Sequence, residues 1–239
     1  MLSDKAVEAI QASELTTTIE VGADEYLTRP VFAPPPEPRA DTLTVATLDG
    51  FIEFVNSDIN VGRFNNGIAI HVESPTSVAL VSGLYGRARQ REEYYRATLV
   101  HTPFSFGRWH GNEEFIISLQ CQFVQTDQRD RILSLVGGIQ KNVVATWEDD
   151  GTTQAVTAKA GVSLVKEMKV PNPVELCPLR TFMEVAQPSS LFVLRVREGK
   201  ELPECALFEA DGGAWKLEAA ESIAAYLKGK VPEGITISA

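Results

Sequence analysis

The amino-acid sequence predicts an α+β fold: an antiparallel sheet with a long hairpin, a central helix and a C-terminal helix, preceded by an N-terminal arm. Three observations carry that expectation. Short β-compatible runs, "NGIAIHVES" at 66–74 and "TSVALVSGLYG" at 76–86, are punctuated by Pro75 and followed by the further strand "EYYRATLVHTPF". Phe115, Leu119 and Phe123 recur at four-residue spacing, and Leu217, Ala220, Ile223, Ala224 and Leu227 form a second helical stripe. Pro34, Pro35 and Pro36 favour extended polyproline backbone. The chain therefore divides into residues 1–41, an N-terminal helix with a Pro-rich arm or linker, and residues 42–239, a single α+β domain.

Taken in order, Ser3 reads as the cap of a short helix with Ala6, Val7 and Ile10 on one face. Thr47 opens a second helix that turns Leu48, Phe51, Ile52 and Val55 to one side. A long charged hairpin is expected between 77 and 103. Asn112 reads as the cap of the central helix, with Glu113 and Glu114 in its first turn where the helix dipole favours negative charge. That helix is expected to reach Gln125 and to kink or restart around Thr126 and Asp127 with Asp127 as a new cap, with Gly137 and Gly138 weakening the continuation. "LFVLRVREG" and "CALFEADGG" read as strands, and "EADGGAW" as a turn into the last helix, which Gly229 and Pro232 end. Phe182, Phe192, Phe208 and Trp215 are expected in the core, with Arg180 paired to a buried carboxylate or carbonyl.

Composition bounds the function. With 239 residues the chain can bury about 70% of its unfolded surface, and 44% apolar with 23% charged residues match a globular protein. A net charge of −10 repels phosphate backbones and acidic membranes. Cys121, Cys177 and Cys205 form no CxxC pair and no zinc spacing. No run approaches the roughly 20 apolar residues of a membrane span, and the N-terminus is not a secretory signal, so a reducing cytoplasm is expected.

Two features compete for chemistry. "ATWEDDGTTQAV" and "LFEADGGAWKLEA" each place carboxylates before glycine, and Asp149, Asp150, Glu209 and Asp211 would bind a divalent cation if they converged. A hairpin turn at Asp150-Gly151 accounts for the first stretch by geometry alone, and that reading is preferred. "YGRARQREEYYR" interleaves Arg87, Arg89, Arg91 and Arg96 with Tyr94 and Tyr95, the composition of a partner or nucleic-acid contact, against the plainer reading of a solvated hairpin tip. His71 and His101 are placed on strands and His110 before the central helix, none in a triad or metal spacing.

"DDGTTQAVTAKAGV", then "VPNPVELCPLRTFMEVAQPSSLFVLRVREG", then "ALFEADGGAW", with "TLDGFIEFVN" and "NEEFIISLQCQF" upstream, resemble the YfdQ-like family of phage and prophage proteins, a domain-of-unknown-function family. The resemblance spans roughly 42 to 230. It implies a phage or prophage origin and action in the bacterial host cytoplasm, and brings no catalytic residues with it.

The expected function is non-enzymatic: self-association, or binding of a phage or host protein. No cofactor and no catalytic residue is expected. Partners are a second copy of the chain and a phage or host protein, with nucleic acid disfavoured by net charge and no membrane. Three alternatives stand beside this reading: an accessory of phage DNA replication or recombination using the basic hairpin, a shell- or lattice-forming protein whose element order follows the tailed-phage capsid, and a metal-dependent enzyme.

Overall fold

A computed structural model of the chain describes Lys5 and residues 18–21, 24–27, 41–57, 67–84, 89–141, 143–149, 154–160, 163–199 and 203–239. Two units are present, Met1–Arg39 and Ala40–Ala239. In the first, β1 (Thr18–Val21) and β2 (Asp24–Leu27) pair antiparallel. The cap at Ser3 and the Pro-rich segment lie outside the described residues.

The second unit is α+β, with two hydrophobic cores. Its first core lies on a five-stranded sheet built from β3 (Leu43–Val45), β4 (Ile68–Ser74), β5 (Ser77–Ser82), β6 (Glu93–Thr98) and β14 (Thr236–Ser238), in the order β14-β4-β5-β6-β3. Helix α1 (Leu48–Asn56) starts where expected: Thr47 Oγ1 accepts from the Gly50 N–H at 3.2 Å, and Leu48, Phe51, Ile52 and Val55 are buried. They meet Ile70, Val72, Val78 and Leu80 of the sheet and Ile223 and Leu227 of α4 (Trp215–Leu227). The expected hairpin is β5 and β6, with residues 83–92 between them. Both sheet edges are parallel pairs, β3 with β6 and β14 with β4. Parallel partners are joined by crossovers rather than by a turn, and three-residue strands carry too little pattern to reveal them.

The second core lies on a four-stranded antiparallel sheet, β11 (Val174–Leu176), β12 (Ser190–Arg197), β13 (Glu204–Glu209) and β7 (His110–Gly111), in that order. Helices α2 (Asn112–Gln122) and α3 (Asp127–Lys141) cover one face, burying Phe115, Leu119, Ile132 and Val136 against Phe192, Leu194, Val196 and Leu207. Three expectations are corrected here. Gly111, not Asn112, is the cap position, and the Asn112 amide turns inward to donate to Val136 O at 3.2 Å. Helix α2 ends at Gln122 because residues 177–179 compete for its backbone: Val124 N–H donates to Cys177 O at 2.9 Å and Leu179 N–H to Gln122 O at 2.8 Å. Thr126 rather than Asp127 then caps α3, accepting from the Arg129 N–H at 3.2 Å, and α3 runs through Gly137 and Gly138.

A third sheet, β8 (Val143–Asp149), β9 (Gln154–Ala160) and β10 (Ser163–Val170), is an antiparallel meander. Asp149 lies opposite Gln154 at the end of the β8–β9 pairing, and the expected Asp150-Gly151 turn lies outside the described residues. On α4 the buried stripe is Ala219, Ile223 and Leu227, while Leu217 is 66% exposed. The helix begins earlier than its stripe suggested, with Trp215 fixed at its start.

The segment after β11 joins the two cores. Gln187 Oε1 accepts from the Arg180 and Thr181 N–H groups at 2.9 and 3.1 Å, and its Nε2 donates to Thr181 O and Phe182 O at 3.1 and 3.0 Å. One amide thereby fixes residues 180–182. Phe182 is buried in the first core, Thr181 Oγ1 donates to Pro75 O at 2.6 Å, and Glu184 Oε1 accepts from the Leu48 N–H at 2.7 Å at the start of α1. Replacing Gln187 by Ala leaves four backbone groups without this partner. The expected result is a loss of about 3 kcal/mol in urea unfolding, set by the cost of unsatisfied, partly buried polar groups.

Candidate binding surface beside a buried arginine

The fixed segment delivers Arg180 into the space between β12, β13 and α4, where it is 5% exposed. Its guanidinium stacks on the Trp215 ring at 3.8 Å and lies 5.9 Å from the Phe192 ring centre. Nη1 pairs with Glu209 Oε1 at 2.9 Å, and Nη2 donates to Ser190 Oγ. Ser190 Oγ in turn donates to Asp211 Oδ2 at 2.5 Å, and Asp211 Oδ1 accepts from the Gly213 N–H at 3.0 Å. Gly212 and Gly213 at φ of 64° and 84° let the chain turn tightly enough to present that N–H. Among the described residues, Arg180 Nε and Trp215 Nε1 are buried without a hydrogen-bond partner.

Electrostatics follow from this geometry. Burial pulls the Arg180 guanidinium below its ordinary value, and Glu209 and Asp211 oppose that pull. Desolvation acts to raise the Asp211 carboxyl. The Ser190 hydroxyl, the Gly213 and Trp215 backbone and the Arg180 charge outweigh it, so Asp211 sits below the usual carboxylate range. An ionised carboxylate held this way is a weak base, and Ser190 Oγ is already spent as donor to Asp211 and acceptor from Arg180. The cluster's chemistry is positioning: it locks β12, β13 and the start of α4 to one loop.

Beside it, Glu175, Ser189, Asp211, Trp215 and Glu218 line a recess of about 190 Å³, which Leu191 also lines, from the face of the four-stranded sheet turned away from α2 and α3. Alternation along β12 and β13 turns Leu191, Val193, Arg195 and Arg197, with Ala206 and Phe208, away from the helices. In register, Glu175 lies opposite Leu191, Val193 opposite Phe208, Arg195 opposite Ala206 and Arg197 opposite Glu204. Leu191 is 43% and Phe208 38% exposed. Trp109 meets Phe208 edge-on at 6.4 Å and carries the Arg197 guanidinium over its ring at 4.2 Å. The expectation that Phe208 is a core aromatic is therefore corrected: it is one strand position out of phase with Leu207.

The sequence-derived site residues are distributed differently. Arg87 and Asp150 lie outside the described residues, as does the side chain of Asp149, which ends β8. Arg89 has a φ of 46° in the loop before β6. Arg91 Nη1 donates to Ser82 O at 2.8 Å. Tyr94, Tyr95 and Arg96 lie on β6, and Tyr95 stacks on Phe54 at 3.8 Å. Arg96 pairs with Glu93 at 2.6 Å and also with Glu73. The hydrogen bond from Arg96 pulls the Glu73 carboxyl down, and the two glutamates push Arg96 up. Glu209 and Asp211 do come together, around Arg180. Among the described residues, no group of three or more His, Cys, Asp or Glu could hold a metal ion.

His71 is on β4, with Nδ1 3.1 Å from Ser238 Oγ. His101 lies after β6 rather than on a strand. His110 is buried beside Phe104, with Nε2 2.9 Å from Ser105 O and Nδ1 3.1 Å from Glu114. The cysteines are free, and burial pushes the Cys205 thiol up to about 12. No helix among the described residues is long and apolar enough to cross a membrane.

Sequence reasoning missed Gln187 and Ser190 as partners of Arg180. A signal was present: Arg180-Thr181, Gln187 and Asp211-Gly212-Gly213, all within the stretches quoted for the resemblance, meet in this cluster. Asn172, from Pro171-Asn172-Pro173, joins the same sheet, its amide exchanging two hydrogen bonds with the Leu194 backbone at 2.7 and 3.0 Å. Set against protein-family models, curated proteins and solved structures, the chain matches none of them.

Arg180→Ala strands Glu209 and opens a void beside Trp215, and a loss of about 3 kcal/mol is expected in urea unfolding. Acid sensitivity gives a second test. Asp211 has a folded pKa below its ordinary 3.8, so its contribution is present above that value and is lost as pH falls through the folded pKa. Asp211→Asn should be less stable than wild type at neutral pH and should show a shallower decline below about pH 4 in unfolding curves taken at each pH.

Proposed function

We propose that this chain is a phage- or prophage-encoded, non-enzymatic protein of the bacterial host cytoplasm that acts by binding a protein surface, its own or a partner's, through the open face of the β11-β12-β13-β7 sheet. One observation carries the reading: exposed Leu191 and Phe208, with half-buried Val193 and Trp109, form a contiguous apolar strip on a sheet face that no helix among the described residues covers. Exposed apolar surface of this kind, rimmed by charge, marks interaction sites. The buried Arg180 cluster supports it by holding β12, β13 and α4 rigid beneath the strip, and rigid presentation lowers the entropic cost of binding.

The geometry gives the basic hairpin less support, since Arg91, Tyr95 and Arg96 are engaged within the unit. Phe208→Glu places a charge in the middle of the strip without touching the buried cluster. The expected outcome is an unchanged melting temperature with loss of complexes in light scattering, whether self-complexes or those formed with a host or phage protein. Complexes that survive Phe208→Glu intact would remove the sheet face from consideration.

A further inference from the structure

The recess beside the Arg180 cluster carries unbalanced negative charge. Glu175 and Glu218 are exposed on its wall, and neither has an ion-pair partner among the described residues. Ser189 Oγ donates to Glu175 Oε1 at 2.7 Å and steadies that carboxylate without neutralising it. The Arg180 guanidinium is set against Glu209 and Asp211 already. With Lys216, whose Nζ lies 5.9 Å from the Trp215 ring centre, two positive charges stand here against the four carboxylates of Glu175, Glu209, Asp211 and Glu218. Burial pushes the Cys177 thiol up, and Glu175 and Glu218 add to that push against Arg180, as two uncompensated charges near one spot must.

Size and spacing narrow the occupant. A recess of about 190 Å³ has the volume of roughly six waters at about 30 Å³ each. Pockets that enclose a whole small ligand run to about 300–1,000 Å³, so this one suits a single side chain entering from outside. Among the described residues no three carboxylates close up as a metal ion requires. A guanidinium spreads five N–H donors over a planar fork and reaches oxygens that stand apart. The wall also holds a donor that lacks an acceptor among the described residues, the buried Trp215 Nε1, and the carbonyls of an entering backbone are acceptors.

Leu191 belongs both to the recess and to the apolar strip, and Val193 follows it on the same side of β12. An extended segment repeats its side chains on one side every two residues, about 6.6–6.8 Å, which is the step from Leu191 to Val193. We infer that the recess receives an arginine side chain from an extended segment of a partner protein, with an apolar residue two positions away resting on Val193 and Phe208. The inference rests on the binding role proposed above and names the chemistry of the partner.

The test titrates the capped pentapeptide Ala-Arg-Ala-Leu-Ala into the ¹⁵N-labelled full chain and follows the indole N–H signals. The chain has three tryptophans, and Trp109→Phe and Trp147→Phe assign them while leaving Trp215 in place. The peptide should shift Trp215 and Trp109 together and saturably. Glu175→Gln combined with Glu218→Gln should weaken it about five- to tenfold, the scale of two lost exposed ion pairs. Gln in place of Arg in the peptide should cost as much on wild type. Raising salt from about 0.1 M to about 1 M shortens the screening length from near 10 Å to near 3 Å and should also weaken binding. Circular dichroism checks that each variant is folded.

No shift of Trp215 at millimolar peptide, equal binding to the doubly substituted variant, or N-acetylarginine amide binding as tightly as the pentapeptide would each overturn the inference. The two levels of the argument separate. A Gln peptide that binds as tightly as the Arg peptide, and is lost in Phe208→Glu, defeats the arginine recess and leaves the binding face standing. Peptides that bind Phe208→Glu as tightly as wild type defeat both.

Discussion

A guanidinium enclosed to the extent of Arg180 costs several kcal/mol of desolvation unless its charge is compensated, and compensating it here takes groups from four separate parts of the chain. Glu209 comes from the end of β13, Ser190 from the start of β12, Asp211 from the turn after β13 and Trp215 from the first turn of α4. None of these can shift alone without stranding a buried charge. The tight Asp211-Gly212-Gly213 turn and the entry angle of α4 are thereby set by one side chain. That side chain is itself held by backbone hydrogen bonds from Gln187.

This constraint links the two cores. The segment that carries Arg180 also carries Phe182 into the core beneath the five-stranded sheet and Glu184 to the start of α1. Helix α4 begins against Arg180 and buries Ile223 and Leu227 in that same core. A polar lock at one end and apolar packing at the other hold the second unit together. The four-stranded sheet is gripped by α2 and α3 on one face and by the lock at its edge, and no helix among the described residues lies on its other face. The apolar strip and its charged ends are a consequence of that arrangement.

Local signals were read well where one segment settles its own structure. Thr47 caps α1 because its hydroxyl needs only a backbone N–H three residues on, and the four-residue spacing of Phe115 and Leu119 is a property of one helix. The reading failed where a distant segment intervened. Helix α2 stops at Gln122 because residues 177–179 take over its backbone groups, and Asn112 abandons the cap for a carbonyl on α3. The parallel edges β3 and β14 are invisible locally for the same reason. Phe208 illustrates a subtler limit: in "ALFE" the alternation is masked because Ala206, on the outer face, is covered by its neighbours and reads as core.

By itself the sequence determined the α+β class, most helices and strands, the absence of a local metal or nucleophile motif, and the charge balance, since each depends on composition or on spacing within a few residues. Tertiary structure alone decided that Arg180, Gln187, Ser190 and Asp211 form one cluster, that Glu209 and Asp211 meet at an arginine, and which face of the four-stranded sheet the helices cover. Those outcomes depend on which segments become neighbours across many intervening residues. The free energy that selects them comes from burying two cores while keeping one buried charge paired, a quantity that no single stretch of chain contains.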